Sequence, residues 1–368
     1  MARTVDVVVV GGGIIGVATA RFLAEAGVSV ELIERDGLAS HASGRNQGLL
    51  IGPHPPEMTA IAARGVTLYR DLHERCDGAF FLDREPHGCL MVGGEAVLSA
   101  QELAEREPLL GPDITAASFE PDARRIDPGA AVAAMAAEAR TYGATIRTGV
   151  SVRELLRRGE TVTGVLTDDG PLSAASVVVA AGPWSWQVCR NTGFDVAVRG
   201  VRGWLVVTRP APFRLRHAIE DASWAATKKG LTTPTVGDFA AGTLTPPAIA
   251  GLVQQDSAGR LLLGASLQSS STDHAENQRE AVAAVCRRAA ELVPALRAVP
   301  VAELRTCRRP LSADGLPLHG PVPGSSGLIL ATGHGSQGIT WGVGSGEAVA
   351  AGVLGQGWDR ALLPDRYL

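Results

Sequence analysis

The chain has 368 residues, 45% of them hydrophobic, and its formal net charge is −4. This length predicts two associated domains with a large core, while the mildly acidic balance excludes a general nucleic-acid-binding surface. No apolar run reaches the roughly 18 residues that span a bilayer, and the five cysteines lack metal-site or disulfide spacing. We therefore expect a cytoplasmic protein without a membrane span, a metal ion or a nucleic-acid partner.

The first 34 residues predict a dinucleotide-binding strand, turn and helix. After the apolar strand, Gly11 permits a tight turn, Gly13 lets the backbone approach a pyrophosphate, and Gly16 lets the helix pack closely on the sheet. The helix predicted over 14–26 begins with free N–H groups that favour phosphate. Glu34 follows the second strand, where a carboxylate can accept hydrogen bonds from ribose hydroxyls. This turn alone is compatible with either NAD or FAD.

The middle of the chain leaves this unit and then returns to it. A long polar loop over 35–57 has the composition of a functional loop. A buried strand over 172–179 ends in the small residues Ala180–Gly182, where a ligand is expected to approach an α/β sheet closely. The other predicted elements are helices over 58–76, 93–106 and 129–142 and strands over 80–82, 89–92, 144–147, 150–155 and 161–167.

The last part of the chain predicts a second, antiparallel sheet and a return to the nucleotide domain. Its strands are predicted over 201–208, 218–226, 252–255 and 260–266, followed by a helix over 277–292. A strand over 327–332, a glycine-rich segment over 333–339 and a helix over 341–354 complete the chain. We predict an interleaved arrangement: 1–80, 140–200 and 310–368 form the cofactor domain, and 81–139 and 201–309 form the substrate domain.

Taken together, these segments resemble the D-amino-acid oxidase (DAO) family of FAD-dependent oxidoreductases. The resemblance rests on Gly11–Glu34, Ser43–Gly48, Val177–Ser185, Arg309–Gly315 and Gly333–Gly338. It implies an α/β fold in which a Rossmann-like FAD-binding domain is interleaved with an antiparallel-sheet substrate domain, as in the glutathione-reductase-like FAD fold. It also selects FAD over NAD.

The resemblance implies a set of cofactor-binding residues. The ADP half of FAD would lie on the first strand-turn-helix unit, and the flavin ring would extend toward the second sheet. N–H groups in the C-terminal glycine-rich segment would stabilise negative charge on the reduced ring. The implied residues are Gly11, Gly13, Ile14, Gly16, Glu34, Arg35, Ser43, Gly44, Arg45, Gln47, Gly48, Leu49, Val152, Ala181, Gly182, Trp184, Gly333, Gly335, Gln337, Gly338 and Ile339.

Two residues near the end of the second domain are implied to act on the substrate or the cofactor. Arg309 matches the arginine that binds the substrate carboxylate in glycine-oxidising members, and a guanidinium fork suits that group. Cys307 has the spacing of the cysteine that binds FAD covalently in sarcosine-oxidising members. The chain mixes the two patterns, so we expect a packed free thiol at Cys307, with covalent attachment as the alternative.

Two histidines are further candidates for the catalytic site. His54 and His334 each follow a segment that matches the family, and either could influence substrate protonation near neutral pH. A packed histidine without a catalytic role is the alternative for both. The remaining histidines show no metal-ligand spacing and are interpreted as structural.

The implied chemistry is oxidation of the C–N bond of a carboxylate-bearing amine by hydride transfer to flavin N5, giving an imine that hydrolyses. A first alternative is oxidation of a 2-hydroxy acid, which would need a histidine base. A second is a flavoprotein subunit of a heteromeric amino-acid dehydrogenase. The strand over 261–266 lacks the lysine that promotes oxygen reactivity in sarcosine-oxidising relatives. The electron acceptor therefore stays open between oxygen, a quinone and a partner subunit.

Overall fold

The computed structural model describes residues 3–94, 97–222, 248–269 and 278–367. Its α-helices are α1 (Ile14–Glu25), α2 (Pro56–Arg75), α3 (Ala100–Arg106), α4 (Pro128–Thr141), α5 (Ser185–Val188), α6 (Gln278–Leu292) and α7 (Gly338–Val353). Short 3-10 turns lie at Gly182–Trp184, Pro294–Ala298, Arg360–Leu362 and Pro364–Tyr367.

The strands, in chain order, are β1 (Arg3–Val10), β2 (Val30–Glu34), β3 (Leu49–Leu50), β4 (Cys89–Val92), β5 (Ala117–Glu120), β6 (Arg124–Arg125), β7 (Thr145–Thr148), β8 (Val152–Arg158), β9 (Thr161–Thr167), β10 (Gly170–Val179), β11 (Val198–Pro210), β12 (Ala218–Asp221), β13 (Ala248–Gln255), β14 (Arg260–Ser269), β15 (Val301–Ser312), β16 (Leu318–Pro321) and β17 (Leu328–Thr332). Strands β3 and β6 pair with each other as a short ribbon.

The larger sheet is Rossmann-like and places several strand ends at one edge. Its order is β16-β17-β10-β1-β2-β7, with β9 beside β10 and β8 beside β9. Strands β17, β10, β1, β2 and β7 run parallel. Strand β2 is buried along its whole length, as expected of a parallel strand covered on both faces. The carboxyl ends of the parallel strands therefore meet at a single edge, where α/β sheets bind ligands.

The second sheet is mainly antiparallel and has the order β15-β11-β14-β13-β12-β4-β5. Only the pair β12 and β4 is parallel among its described strands. Helix α6 covers one face, with Val285, Ala289 and Leu292 in the core. The predicted fold class is therefore confirmed, since a parallel nucleotide sheet and an antiparallel sheet are formed by interleaved segments.

Helix α7 packs closely between α1 and α2 because small residues face both. A Cβ atom at Gly346 would overlap Ala18 of α1, and one at Gly344 would overlap the carbonyl oxygen of Ile61 in α2. Tyr69 of α2 is fully buried and donates a hydrogen bond to the carbonyl oxygen of Ile339, 2.9 Å away. These contacts fix the start of α7 beside the carboxyl edge of the larger sheet.

Several predicted elements differ from the structure. Residues 80–82 are not a strand; Leu82 forms only an isolated bridge with Ile126. The helix predicted over 93–106 begins only at Ala100, because Ser99 and Glu102 form a capping box there. Strand β15 was missed, since charged residues and Pro310 obscure its alternation. The predicted strand residues 223–226 and the helix residue Asn277 lie outside the described residues.

The positions of the strands and helices support a revision of the domain limits. Helix α4 was assigned to the substrate domain as far as residue 139, yet its buried side chains, including Val132 and Met135, belong to the core of the larger sheet. The predicted limit at 309/310 falls within β15, which continues to Ser312 in the second sheet. We propose that the cofactor domain resumes at Pro128 and again after Ser312.

We predict that Gly346→Val lowers the free energy of unfolding by about 3 kcal/mol, because the added atoms overpack the contact between α7 and α1. Ala348→Val, at a partly exposed position of the same helix, is the control and should cost about 0.5 kcal/mol. Urea unfolding followed by circular dichroism measures both. Equal costs for the two variants would contradict the close packing of α7.

Candidate cofactor and substrate site

One large cavity lies at the carboxyl edge of the larger sheet and extends to the second sheet. Its volume is about 510 Å³. The ends of β1, β2 and β10 form one part of its wall, and residues of β11, β12, β13, β14 and β15 form another. The cavity therefore joins the predicted nucleotide-binding turn to the predicted substrate-binding sheet.

The first glycine turn has no space for side chains. Gly11 has φ +116°, a conformation that favours glycine. A Cβ atom at Gly16 would overlap the carbonyl oxygen of Gly11. Helix α1 begins without a side-chain cap from Gly13 and without an acid in its first turn, and the amide of Ile14 donates to Ser43 Oγ, 3.0 Å away. Apart from that bond, the helix start carries no acid and no side-chain cap of its own, which is consistent with a phosphate site.

Glu34 is held at the end of β2 by two backbone hydrogen bonds. Its carboxylate accepts from the amide of Gly12 at 2.6 Å and from the amide of Asp36 at 2.8 Å. The side chain is buried and lines the cavity. The acid expected to bind a ribose is therefore fixed beside the glycine turn.

A cluster of aromatic and charged side chains lines the end of the cavity near Glu34. The guanidinium of Arg35 lies 4.1 Å from the ring centre of Trp184, and the ring of His41 lies 4.6 Å from it. Asp36 accepts from His41 at 2.7 Å and from Arg35 at 3.0 Å, and these bonds lower the pKa of Asp36. His41 also lines the cavity, a position that its sequence context does not indicate.

The loop from Ser43 to Gly48 is held by Asn46, which sequence reasoning did not select. Its Nδ2 donates to the carbonyl oxygens of Ala42 and Ser43 at 2.9 and 2.8 Å, and its Oδ1 accepts from the amide of Gly48 at 2.7 Å. This bonding places Gln47 in the cavity wall, where Gln47 Nε2 is buried without a hydrogen-bond partner among the described residues. Such a donor fits a bound polar group.

Arg309 reaches across the second sheet into the cavity. Its Nη1 donates to the carbonyl oxygen of Ser266 on β14, 3.0 Å away. A Cβ atom at Gly203 on β11 would overlap this guanidinium, so Gly203 is the residue that leaves space for it. Burial lowers the pKa of Arg309, which means that an anionic ligand would stabilise its charge.

Cys307 lines the cavity two residues before Arg309 and retains some accessible surface. Burial raises the pKa of its thiol, while the nearby charges of Arg309 and Arg45 lower it in part. The raised pKa favours the protonated thiol, which is the less reactive form.

His334 is buried in the cavity wall and pairs with His319. Their Nε2 atoms lie 3.1 Å apart, so one ring donates and the other accepts in a neutral pair. Burial lowers the pKa of His334 to about 3 and that of His319 well below its usual value. His334 is therefore neutral near physiological pH.

His54 does not line the cavity. Its Nδ1 accepts a hydrogen bond from Trp341 Nε1, 3.3 Å away, and burial lowers its pKa. Ile14, Gly16, Gly44 and Gly333 are also absent from the wall and act through packing or backbone contacts. The other predicted residues do line it: Gly11, Gly13, Glu34, Arg35, Ser43, Arg45, Gln47, Gly48, Leu49, Val152, Ala181, Gly182, Trp184, Cys307, Arg309, His334, Gly335, Gln337, Gly338 and Ile339.

The chain matches a family model over most of its length. The model is that of DAO, described as FAD-dependent oxidoreductase, and it covers residues 6–351. The chain belongs to the DAO family. This assignment confirms the predicted family, the predicted FAD cofactor and the predicted oxidoreductase class.

Three known proteins illustrate the relationship. The glycine oxidase of Pseudomonas aeruginosa is 28% identical over 358 residues, with 90% of each chain covered. The 4-methylaminobutanoate oxidase (formaldehyde-forming) of Paenarthrobacter nicotinovorans is 32% identical over 216 residues, which cover 52% of this chain and 26% of that protein. The crystal structure of glycine oxidase from Bacillus cereus has a TM-score of 0.82 at 23% identity, with 97% of each chain covered, and shows the shared fold.

The residues present fit FAD at both ends of the cavity. Glu34, Val152 and Trp184 surround the end suited to adenosine, and the glycine turn and the start of α1 are suited to the pyrophosphate. Gln47 and the segment Gly335–Ile339 line the part nearer the second sheet. In the described ranges, no cluster of metal-ligating side chains is present, and no helix is long and apolar enough to cross a membrane.

We predict that Gly16→Val yields protein without bound FAD, because a side chain there displaces the turn that holds the pyrophosphate. Gly129→Ala in α4 is the control, since its Cβ atom would meet only ordinary contacts. The flavin absorbance of each purified protein, divided by its protein concentration, measures the occupancy. Full occupancy in Gly16→Val would contradict the assigned role of the turn.

We also predict that the buried histidine pair makes stability depend on pH. The unfolded chain binds a proton at His334 below about pH 6.5, whereas the folded pKa is about 3. The free energy of unfolding should therefore fall as pH falls through this window, by about 1.4 kcal/mol per pH unit for this histidine.

In His334→Gln, this contribution to the slope should be absent. Urea titrations at several pH values between about 6 and about 4 measure the slope. The same slope in the parent protein and in the variant would show that His334 is not held neutral by burial.

Proposed function

We propose that the chain oxidises the C–N bond of a primary or secondary amine that carries a carboxylate, giving an imine that water hydrolyses. The observation that carries this proposal is the guanidinium of Arg309 in the wall of the FAD cavity. The names of the relatives, glycine oxidase and 4-methylaminobutanoate oxidase, support the same substrate class.

Arg309 is suited to bind the carboxylate of such a substrate. Guanidinium binds carboxylate through two parallel hydrogen bonds, and such charge-assisted bonds are strong when they are sheltered from water. The bond from Nη1 to Ser266 fixes the orientation of the group, and the missing side chain at Gly203 gives it space. The substrate carboxylate would then be held at one defined place on the second sheet.

FAD, when bound, supplies the hydride acceptor for the oxidation. The contribution of the chain is to hold the substrate in one orientation and to exclude water from the reacting carbon. The apolar side chains of Leu49, Ile51 and Leu252 line the same part of the cavity and serve the second purpose.

The histidine pair favours an amine substrate over a 2-hydroxy acid. Oxidation of an alcohol needs a base that accepts the hydroxyl proton. Two histidines line the cavity, and His41 lies at the other end, beside Trp184 and Asp36. His334 is the candidate nearer the second sheet, but its pKa of about 3 makes it a weak base, and its Nε2 faces His319. A neutral amine needs no such base, so the described geometry fits amine oxidation better.

Oxygen is the electron acceptor that we propose, because both named relatives are oxidases. The described strand β14 carries no lysine at Leu261–Ser266, so any oxygen-activating cation would differ from the one expected in sarcosine-oxidising relatives. Slow reoxidation of the reduced protein in aerated buffer would instead identify a dehydrogenase that uses a quinone or a partner subunit.

We further propose that Cys307 is a free thiol. The raised pKa of Cys307 disfavours the thiolate needed for covalent attachment to FAD.

We also propose a cytoplasmic location. All five cysteines are free in the structure, which fits a reducing compartment.

We predict that Arg309→Met lowers kcat/KM for carboxylate-bearing amines by about 100-fold, because two charge-assisted hydrogen bonds are lost. Arg308→Met is the matched control, since Arg308 precedes it on β15 and does not line the cavity. Anaerobic stopped-flow measurement of flavin reduction against substrate concentration gives the rate and the apparent affinity. Unchanged affinity for every carboxylate substrate in Arg309→Met would overturn the assignment.

A further inference from the structure

The loop from Ser43 to Gly48 belongs to the cofactor domain, yet it is bonded to the second sheet. Gln254 on β13 donates from its Nε2 to the carbonyl oxygen of Gln47 at 2.9 Å and to that of Gly48 at 3.4 Å. Gln254 is only 2% exposed and does not line the FAD cavity, whereas Gln47 does. Gln254 therefore contacts the loop without reaching the space that the cofactor would occupy.

A gap in β14 receives the side chain of the same loop residue, Gln47. A Cβ atom at Gly264 would lie 2.5 Å from Gln47 Nε2 and 3.3 Å from Gln47 Cδ, so the carboxamide rests directly on the backbone of Gly264. Gln47 Nε2 is buried at this contact. Any side chain at residue 264 would have to displace the carboxamide. Its position thus depends on a missing side chain in the other domain.

These two contacts come from neighbouring strands of one sheet, since β13 and β14 pair with each other. A third and longer contact joins Arg45 Nη1 to the carbonyl oxygen of Thr306 on β15, 3.5 Å away. Asn46, by contrast, bonds only within the loop, to Ala42, Ser43 and Gly48. The internal bonds of Asn46 shape the loop, and the contacts from the second sheet set where it lies.

The contacts from the second sheet bear on cofactor binding through Gln47. A polar residue binds a ligand well when further hydrogen bonds and close packing fix its own position. Without the amide of Gln254, the carbonyl oxygen of Gln47 would lose its donor, which destabilises the observed position of the loop. Loss of the gap at Gly264 would move the carboxamide directly.

We propose that Gln254 and Gly264 are positioning residues for FAD, which fix the carboxamide of Gln47 beside the bound flavin, so that the second sheet contributes to the retention of the cofactor. Gln47 is the residue that contacts the cofactor. Gln254 holds its backbone, and Gly264 leaves space for its side chain. This inference rests on FAD as the cofactor and is independent of the proposed substrate.

The test measures the flavin of the purified holoprotein. Visible circular dichroism reports the surroundings of the ring, and the rise of free flavin fluorescence after dilution gives the rate of FAD release. We expect Gln254→Leu to release FAD about tenfold faster than the parent and to alter the dichroism, because one hydrogen bond to the loop is lost. Gln101→Leu, at an exposed position of α3, is the control and should change neither.

A double-mutant cycle separates positioning from a general effect on folding. Gly264→Ala displaces the carboxamide of Gln47 and should also accelerate FAD release about tenfold. In Gln47→Ala the carboxamide is absent, and the next neighbour of the added methyl group, Leu205 Cδ1, lies 3.4 Å away. Gly264→Ala should therefore have no further effect in the Gln47→Ala background.

Equal acceleration by Gly264→Ala in both backgrounds would overturn the role of Gly264, because it would show an effect that does not pass through Gln47. A release rate and dichroism like those of the parent in Gln254→Leu would overturn the role of Gln254. If Gln47→Ala itself changed neither quantity, the whole proposal would be wrong, even if Gln254→Leu failed to fold. Flavin reduction by amines tests the proposed oxidation separately from all three outcomes.

Discussion

The architecture of the site depends on the close contact between the first turn and the end of β10. A Cβ atom at Gly11 would lie 2.5 Å from the carbonyl oxygen of Ala180, and one at Gly16 would overlap the carbonyl oxygen of Gly11. Because no side chain fits between these segments, α1 must begin directly at the carboxyl edge of the larger sheet. The start of α1, Glu34 and the strand end at Ala181 are consequently brought to one end of a single cavity.

The other end of the cavity depends on burial of charge in the second sheet. Arg309 is buried in the wall at this end, where electrostatic interactions are stronger than in water. The same low polarity keeps His334 and Cys307 uncharged. The histidine that lines this end, His334, is therefore too weak a base to remove a hydroxyl proton.

The sequence allowed the nucleotide half to be predicted more completely than the substrate half. The roles of Gly11, Gly16 and Glu34 follow from local rules, because the turn, the helix start and the acid lie within one short segment. Arg309 was found only through resemblance to the family. Gly203 was missed because its importance arises from Arg309, a neighbour that is distant in sequence.

The differences between the predicted and the observed elements have a similar physical origin. Helix α4 is rich in alanine, so its sequence does not show which sheet it covers; its contacts with α1, α2 and β7 assign it to the larger sheet. Strand β15 carries charged side chains because it lies at the edge of the second sheet, so its apolar alternation is weak. His41 and Asn46 carry no motif of their own; only the folded loop shows that one closes the cavity and the other holds the backbone.

The most direct test of the central claim is anaerobic bleaching of the flavin by substrate pairs that differ only at the reacting atom. Glycine and glycolate, and alanine and lactate in both enantiomers, form such pairs. We predict that amines bleach the flavin and release one oxo acid for each flavin reduced, while the matching hydroxy acids leave it oxidised. Bleaching by the hydroxy acids and not by the amines would contradict the account.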